Sequence, residues 1–198
     1  MKLWQAMLSL TVFSLPAFAA EGASTSVTVA VMPEGHYSES SLREMGREAA
    51  NILKKSGVKL RLRLGDPGQV SDSLLVVIML KGDCEMDGTP SASKGPLGWS
   101  HEVDGKILPF GEVACSDIWG SLRSARYLEN HLPGDVALGR AMGRVLAHEL
   151  YHIVAATPRH GRDGVARKAF STRELTDGQL DLDQSDAELI RSGLQRPR

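Results

Sequence analysis

Residues 136–156 read VALGRAMGRVLAHELYHIVAA, a long stretch without Pro that lies between two turn signals. Pro133-Gly134 precedes it, Thr157-Pro158 follows it, and Asp135 is a residue type that commonly caps a helix N-terminus. Small and apolar residues recur along it at steps of three and four, the period of one helix face: Gly139, Gly143, Leu146, Leu150 and Ile153. We therefore predict a long helix with Asp135 as its N-cap, and we expect the two glycines to allow close packing of its backbone against a β-sheet.

The same predicted helix carries the pattern His-Glu-x-x-His at residues 148–152. Because about one helical turn separates His148 from His152, both imidazoles project from the same side and can bind one zinc ion. Glu149 is rotated by about 100° from His148, so its carboxylate is expected beside a zinc-bound water rather than on the metal. Zinc lowers the pKa of such a water to about 7, and the carboxylate takes its proton as the water attacks a carbonyl group. The pattern predicts zinc-dependent hydrolysis with Glu149 as the general base.

A third protein ligand is needed, because catalytic zinc is normally held by three side chains and keeps one open position. The downstream candidates are His160, Asp163, Glu174 and Asp177. We favour His160, which lies beyond the helix stop at Pro158, where the turning chain can present it to the same metal. Glu174 is the second candidate, as in zinc enzymes of the thermolysin type. However, the run from Ser171 to Glu174 also has the spacing of a capping box that opens a short helix.

The rest of the chain alternates strand and helix patterns. We predict strands at residues 27–32, 58–64 and 74–80, a helix from Ser38 or Ser40 to about Lys55, a hairpin over residues 101–115 turning at Asp104-Gly105, and helices near residues 119–130, after Ser171 and after Ser185. The run LLVVIML at residues 74–80 is strongly apolar, as expected of a central strand. This order predicts an α+β or α/β fold, in which a mixed twisted sheet has a backing helix and an active-site helix. A small C-terminal helical or irregular subdomain follows.

Residues 143–152, GRVLAHELYH, resemble the active-site helix of the metzincin zinc metalloproteases. The order of elements over about residues 25–160 is similar to the N-terminal subdomain of that clan. The resemblance implies a zincin-like fold, zinc as the cofactor, and a peptide or protein substrate that lies along a sheet edge as an added strand. In the metzincin pattern HExxHxxGxxH, Gly would stand at Ala155 and the third His at Pro158, so His160 implies a turn longer by two residues. Metzincins also carry a Met-containing turn beneath the zinc, and no Met follows Met142 here.

The N-terminal sequence is typical of an export signal. Residues 1–20, MKLWQAMLSLTVFSLPAFAA, contain one basic residue, an apolar run and small residues at Ala17 and Ala19. The predicted units are a signal peptide at residues 1–19 and a single catalytic domain at residues 20–198, with subdomains at about 25–157 and 158–198. We expect a secreted or periplasmic protein that is not held in a membrane after the signal is removed.

Export also affects the two cysteines, because disulfides persist outside the reducing cytosol. Cys84 and Cys115 are therefore predicted to form a disulfide, with two buried free thiols as the alternative. The sequence contains 23 Lys and Arg against 24 Asp and Glu. Proteins that neutralise many phosphates normally carry a basic excess, so nucleic acid is not an expected partner.

The sequence therefore predicts a zinc metalloendopeptidase, expected to be a monomer. An alternative is an exported binding protein that has lost activity on a metalloprotease-like scaffold. The missing Met and the displaced third His motivate that alternative, and the intact Glu149 argues against it.

Overall fold

The computed structural model describes residues 25–66, 68, 74–87, 95–124 and 134–196. Its strands are β1 (Thr25–Pro33), β2 (Val58–Leu64), β3 (Leu74–Lys81), β4 (Gly98–Val103) and β5 (Lys106–Ala114). Its α-helices are α1 (Glu39–Leu53), α2 (Cys115–Ser124), α3 (Gly134–Ala155), α4 (Thr172–Thr176) and α5 (Gln184–Leu194). Within this part of the chain the strands form one sheet in the order β2-β1-β3-β5-β4, parallel except for the pair β4-β5. The mixed α/β fold that the sequence predicts is confirmed.

The apolar run at residues 74–80 forms the middle strand of the sheet, as predicted. Val76, Ile78 and Leu80 of β3 are fully buried, and the residues between them are partly buried. Because side chains alternate between the two faces of a strand, this pattern shows that one face of the sheet is covered more completely than the other. Helices α1, α2 and α3 all contact the sheet and belong with it to one apolar core.

The two glycines of α3 lie against α1. A Cβ atom on Gly139 would be 2.4 Å from the main-chain oxygen of Ser41, and one on Gly143 would be 2.7 Å from that of Met45. The expectation that these glycines pack against the sheet is therefore wrong. Nearly every residue of α3 is buried, so the period of its small residues could not indicate which neighbour each face meets.

The sheet contact of α3 comes from another face of the helix. A Cβ atom on Gly98 of β4 would be 2.6 Å from Val145 Cγ1, and one on Gly111 of β5 would be 3.5 Å from Ile153 Cδ1. The sheet therefore approaches α3 through glycines on its own strands. This contact brings the edge strand β4 over the middle of α3.

A buried arginine joins α3 to α1 and to the segment around α4. Arg144 is 1% exposed, and its Nε donates a hydrogen bond of 2.8 Å to Glu48 Oε1 on α1. Its Nη atoms donate to the main-chain oxygens of Glu174, Asp177 and Gly178 at 2.6 to 2.7 Å. A buried charge that loses one partner typically costs about 3–5 kcal/mol, so this network holds the C-terminal segment firmly on α3.

Two predicted helix caps are wrong. Asp135 lies inside the first turn of α3 instead of capping it, and its carboxylate accepts hydrogen bonds from Met86 N at 2.9 Å and Ser40 Oγ at 3.3 Å. Helix α5 is capped by Asp183, which accepts from the main-chain nitrogen of Asp186 at 2.7 Å, so the predicted capping box beginning at Ser185 is not formed. In the first case residues from other segments bind the carboxylate, and in the second an equally good cap residue lies two residues upstream and starts the helix earlier.

Other boundaries shift by a few residues. The capping box between Ser171 and Glu174 is present at the start of α4, and the hairpin turns at Asp104-Gly105, as predicted. Strand β4 begins at Gly98, and α2 begins at Cys115, four residues earlier than expected. Residues 125–130, where that helix was expected to continue, lie outside the described residues.

The predicted disulfide is present in the structure. Cys84 and Cys115 are bonded, with their Cα atoms 4.9 Å apart, and both are fully buried. The bond joins the segment after the central strand β3 to the first residue of α2. It therefore fastens the middle of the sheet to a helix of the core.

The predicted signal peptide, residues 1–19, lies outside the described residues. Among the helices that the structure describes, none combines the length and the apolar character needed to cross a bilayer.

Replacing Gly143 by Ala tests the contact between α1 and α3. Ala favours a helix over Gly by about 1 kcal/mol, but here its Cβ would overlap the backbone of α1. We expect Gly143→Ala to lower the free energy of unfolding by about 1–3 kcal/mol in urea denaturation. The matched control is Gly46→Ala in α1, whose Cβ would meet only the flexible Leu62 side chain at 3.3 Å and should cost little or stabilise. Equal stability of the two variants would contradict the packing described.

Candidate metal centre

Three imidazole groups converge at the C-terminal end of α3. His148, His152 and His160 each offer a ligand atom, and these atoms all lie within 4.8 Å of one another. The Nε2 atoms of His148 and His152 are 3.1 Å apart, and the His160 ring centroid lies 5.2 Å and 4.7 Å from the centroids of those two rings. The structure therefore brings together the three histidines that the sequence predicts as metal ligands.

The third histidine reaches the helix because of the way α3 ends. Ala156 has a left-handed backbone with φ of 50°, the conformation that usually places Gly after a helix. The Thr157 N–H then donates to the His152 main-chain oxygen at 3.1 Å, and Pro158 cannot continue the helix. Ala156, rather than Ala155 or the Thr157-Pro158 pair, thus adopts the backbone conformation typical of a terminating Gly. The turn that follows brings His160 back over the last turns of α3.

Main-chain carbonyl groups determine the tautomers of the two helix histidines. The Nδ1 atom of His148 lies 2.7 Å from Val165 O, and Nδ1 of His152 lies 2.7 Å from Thr157 O. A carbonyl oxygen only accepts hydrogen bonds, so each Nδ1 carries the proton and each Nε2 of a neutral ring keeps its lone pair. Two lone pairs that face each other at 3.1 Å repel unless a cation lies between them.

Burial favours the neutral form of the two helix imidazoles, and partial desolvation acts in the same direction on the more exposed His160. Desolvation lowers the pKa of His148 to about 4, and it also lowers the pKa of His152 and His160. Neutral imidazole is the form that binds metals, so no proton has to be displaced near pH 7. Tetrahedral Zn–N bonds of about 2.0–2.1 Å would place ligand nitrogens about 3.4 Å apart, close to the spacing of the two Nε2 atoms. The donor chemistry, the spacing and the facing lone pairs all fit a bound divalent metal.

The structure does not bring Glu174 to the histidines. Its Oε1 forms an ion pair of 2.5 Å with Arg167, and its Oε2 accepts hydrogen bonds from the nitrogen and hydroxyl of Ser171. The hydrogen bond from Arg167 is the main cause that lowers the pKa of Glu174 to about 2. Asp163 and Asp177 are also outside the group that could hold a metal. The ligand set of the thermolysin type is thus not assembled, because Glu174 serves in the capping box.

Glu149 lies beside the histidines with a buried carboxylate. The residue is 3% exposed, and this burial raises the pKa of Glu149 to about 7, although a hydrogen bond from Ser100 opposes the shift. The hydroxyl of Ser100 donates to Oε2 at 2.7 Å. A carboxyl group with a pKa near neutrality is well suited to accept and release a proton.

A cleft of about 530 Å³ lies over this group. His148, Glu149, His152 and His160 all line it, and β4 borders it through Gly98, Trp99 and Ser100. Residues 168–170 also line the cleft, and the Phe170 ring lies edge-on to His148 with centroids 5.6 Å apart. A substrate in the cleft would contact both the edge strand of the described sheet and the candidate metal centre.

No protein-family model matches the chain, and no curated protein matches it. Among solved structures, the crystal structure of archaemetzincin from Methanopyrus kandleri is similar, with a TM-score of 0.53 over 89% of this chain and 99% of that chain. The fold is archaemetzincin-like. At 13% sequence identity the similarity concerns the fold, and it supports the expected metzincin-like arrangement of sheet and helices.

Sequence reasoning missed several residues of this candidate metal centre. The Val165 carbonyl meets a histidine 17 positions away, and Ser100 meets a glutamate 49 positions away. Neither contact has a local pattern that could reveal it. Phe170 carried no motif either. Of these residues, only Thr157 stood out in the sequence, because it precedes Pro158, where the helix was predicted to end.

The strain at the end of α3 can be tested with two substitutions to Gly. A left-handed backbone costs a residue with a Cβ about 1–2 kcal/mol, and Gly avoids that cost. We expect Ala156→Gly to raise the free energy of unfolding by about 1 kcal/mol in urea, measured with a chelator present. Ala155→Gly is the matched control, because Ala155 has a helical backbone and its replacement should destabilise by about 1 kcal/mol. A destabilised Ala156→Gly variant would contradict the proposed role of this turn.

Proposed function

We propose that this protein is an exported zinc metalloendopeptidase that hydrolyses internal bonds of a peptide or protein. One observation carries the proposal: three neutral imidazoles and a buried carboxylate meet in the same cleft, at the spacing of the HExxH pattern. Zincin-type hydrolysis needs both parts, a set of metal ligands and an adjacent base. The archaemetzincin-like fold and the metzincin resemblance of residues 143–152 add support.

In this proposal His148, His152 and His160 hold the zinc. The carbonyl groups of Val165 and Thr157 keep the protons of the two helix imidazoles on Nδ1, so that their Nε2 atoms are available as ligands. When bound, zinc would act as a Lewis acid and lower the pKa of a coordinated water. The ligand set leaves room for such chemistry, because three side chains are fewer than the four ligands of a closed structural site.

Glu149 is proposed as the general base. Its carboxylate lines the cleft, and its Oε1 accepts no hydrogen bond from the described residues, so this oxygen can take a proton from the attacking water. The same oxygen can then deliver the proton to the leaving amine nitrogen. Both transfers need a carboxylate beside the reacting atoms and not on the metal, which is the position expected one residue after His148.

Strand β4 is proposed as the surface that binds the substrate backbone. It pairs with β5 on one side and is an end strand of the described sheet, so an extended peptide can add to its other edge. Gly98, Trp99 and Ser100 of this strand border the cleft. A peptide held along it would extend past the histidines in both directions, which suits cleavage within a chain.

Export is part of the proposal. The signal pattern of residues 1–19 supports it, and the Cys84–Cys115 disulfide suits an oxidising compartment. After removal of this segment, residues 20–198 would act as one catalytic domain with subdomains at about 25–157 and 158–198. We propose that this domain works as a monomer.

The zinc ligands can be tested by direct binding measurements. We expect the purified protein to bind about one equivalent of zinc, and His160→Ala to weaken zinc binding by about 100-fold or more, because one of three ligands is lost. His101→Ala is the control, since His101 pairs with Glu112 and neither residue lines the cleft, and it should leave the affinity unchanged. Glu174→Ala should also leave it unchanged. If Glu174→Ala weakens zinc binding and His160→Ala does not, the proposed ligand set is wrong.

Glu149→Gln tests the proposed reaction. The amide keeps the shape of the side chain but cannot take the proton, so we expect cleavage of a peptide library to fall about 10²- to 10⁴-fold while zinc binding persists. The control is Glu112→Gln on β5, whose carboxylate faces His101 and should leave cleavage unchanged. A chelator should abolish cleavage, and added zinc should restore it. A protein that binds zinc but cleaves no peptide would favour the exported binding protein instead.

A further inference from the structure

A hydroxyl group from the edge strand reaches the Glu149 carboxylate. Ser100 Oγ lies 2.7 Å from Glu149 Oε2 and 3.3 Å from the main-chain oxygen of the same residue. A hydroxyl has one proton to donate, and the shorter contact to the charged group is the stronger hydrogen bond. Among the described residues, Ser100 is the one hydrogen-bond donor to this carboxylate.

The face of β4 that lies against α3 carries two small residues beside Glu149. Gly98 and Ser100 are two positions apart, so they lie on the same face of the strand. A Cβ atom on Gly98 would be 2.9 Å from Glu149 Oε1 and 2.6 Å from Val145 Cγ1. The backbone of β4 at Gly98 therefore lies close to Oε1, and Ser100 binds Oε2. The same strand thus lies against both carboxylate oxygens.

The strand is irregular at this point. The pairing of β4 with β5 shifts register between Ser100 and Glu102, directly after the residue that binds the carboxylate. Such irregularities change the direction in which neighbouring side chains project and are frequent beside functional sites. Ser100 itself still pairs opposite Gly111, so the regular part of the strand ends with its hydroxyl directed at α3.

We propose that Ser100 is a positioning residue, which holds Oε2 of Glu149 and leaves Oε1, which accepts no hydrogen bond from the described residues, to act as the base. A free glutamate side chain has several rotamers, and holding it in one of them costs side-chain entropy. The hydrogen bond stabilises one of these rotamers before substrate arrives. The catalytic consequence rests on the proposed function. Because Ser100 belongs to the strand along which the substrate is proposed to lie, the same element would position substrate and base.

The experiment compares Ser100→Ala, which removes the hydroxyl, with Ser100→Thr, which keeps it. Ser121→Ala is the matched control. The Ser121 hydroxyl also donates a partly buried hydrogen bond, to the main-chain oxygen of Asp117 at 2.9 Å, but it lies on α2 and does not line the cleft. The first readout is the side-chain carboxyl ¹³C NMR signal of Glu149 in zinc-free protein, assigned by its loss in Glu149→Gln. The second is kcat and KM for a cleaved peptide, together with zinc affinity for each variant.

We expect the Glu149 signal to move in Ser100→Ala and to stay in place in Ser121→Ala. We also expect Ser100→Ala to lower kcat by about 10- to 100-fold, a part of what general base catalysis contributes, with KM and zinc affinity changed less than about 2-fold. Ser100→Thr should restore most of kcat. An unmoved signal in Ser100→Ala overturns the proposal, as does an unchanged kcat or a loss of kcat that Thr does not recover.

Failure of the proposed function gives a different result. In that case the unmutated protein cleaves no peptide, or Glu149→Gln cleaves as fast as the unmutated protein. The NMR comparison then decides by itself whether Ser100 holds the carboxylate. A signal that moves only in Ser100→Ala supports the contact, and an unmoved signal overturns it.

Discussion

The buried guanidinium of Arg144 connects the parts of the molecule that surround the histidines. It donates to Glu48 on α1 and to three main-chain oxygens around α4, all from a position one helical turn before His148. A buried cation must keep its partners, so α1, α3 and the C-terminal segment are held in one arrangement. The glycine contacts between α1 and α3 act in the same way, because backbones this close leave no room for another packing. The histidines are therefore attached to a helix that cannot easily shift.

On this rigid helix the candidate metal centre is assembled by backbone as much as by side chains. Helical spacing brings His148 and His152 together, and the left-handed turn at Ala156 returns His160 to them. The main-chain oxygens of Thr157 and Val165 then select the tautomers. The segment after α3 thus contributes His160 to the three-histidine group and both tautomer-selecting carbonyls.

Sequence patterns predicted the elements whose signals are local. The apolar run of β3, the turn at Asp104-Gly105 and the capping box at Ser171 were all found where expected. The wrong predictions concern residues that could interact either with neighbours in sequence or with residues from distant segments. Asp135 is bound by Met86 and Ser40 from other segments, and its helix begins two residues earlier than a cap at Asp135 implies. The glycines of α3 correctly predicted close packing, but the neighbour is α1 and not the sheet. A helix that is buried on nearly all sides has no exposed polar face, so its sequence does not indicate which side contacts the sheet.

By itself, the sequence determined that two histidines and a glutamate share one helix at zinc-site spacing, since that arrangement follows from 3.6 residues per turn alone. It also narrowed the third ligand to a few candidates downstream. Only the tertiary structure separates them, because the path of the chain after Ala156 brings the His160 ring to the helix histidines, whereas the Glu174 carboxylate is held in the capping box with Ser171. The contact of Ser100 with Glu149 was likewise beyond the sequence. It joins residues 49 positions apart and exists only because glycines on the sheet let β4 lie directly against α3.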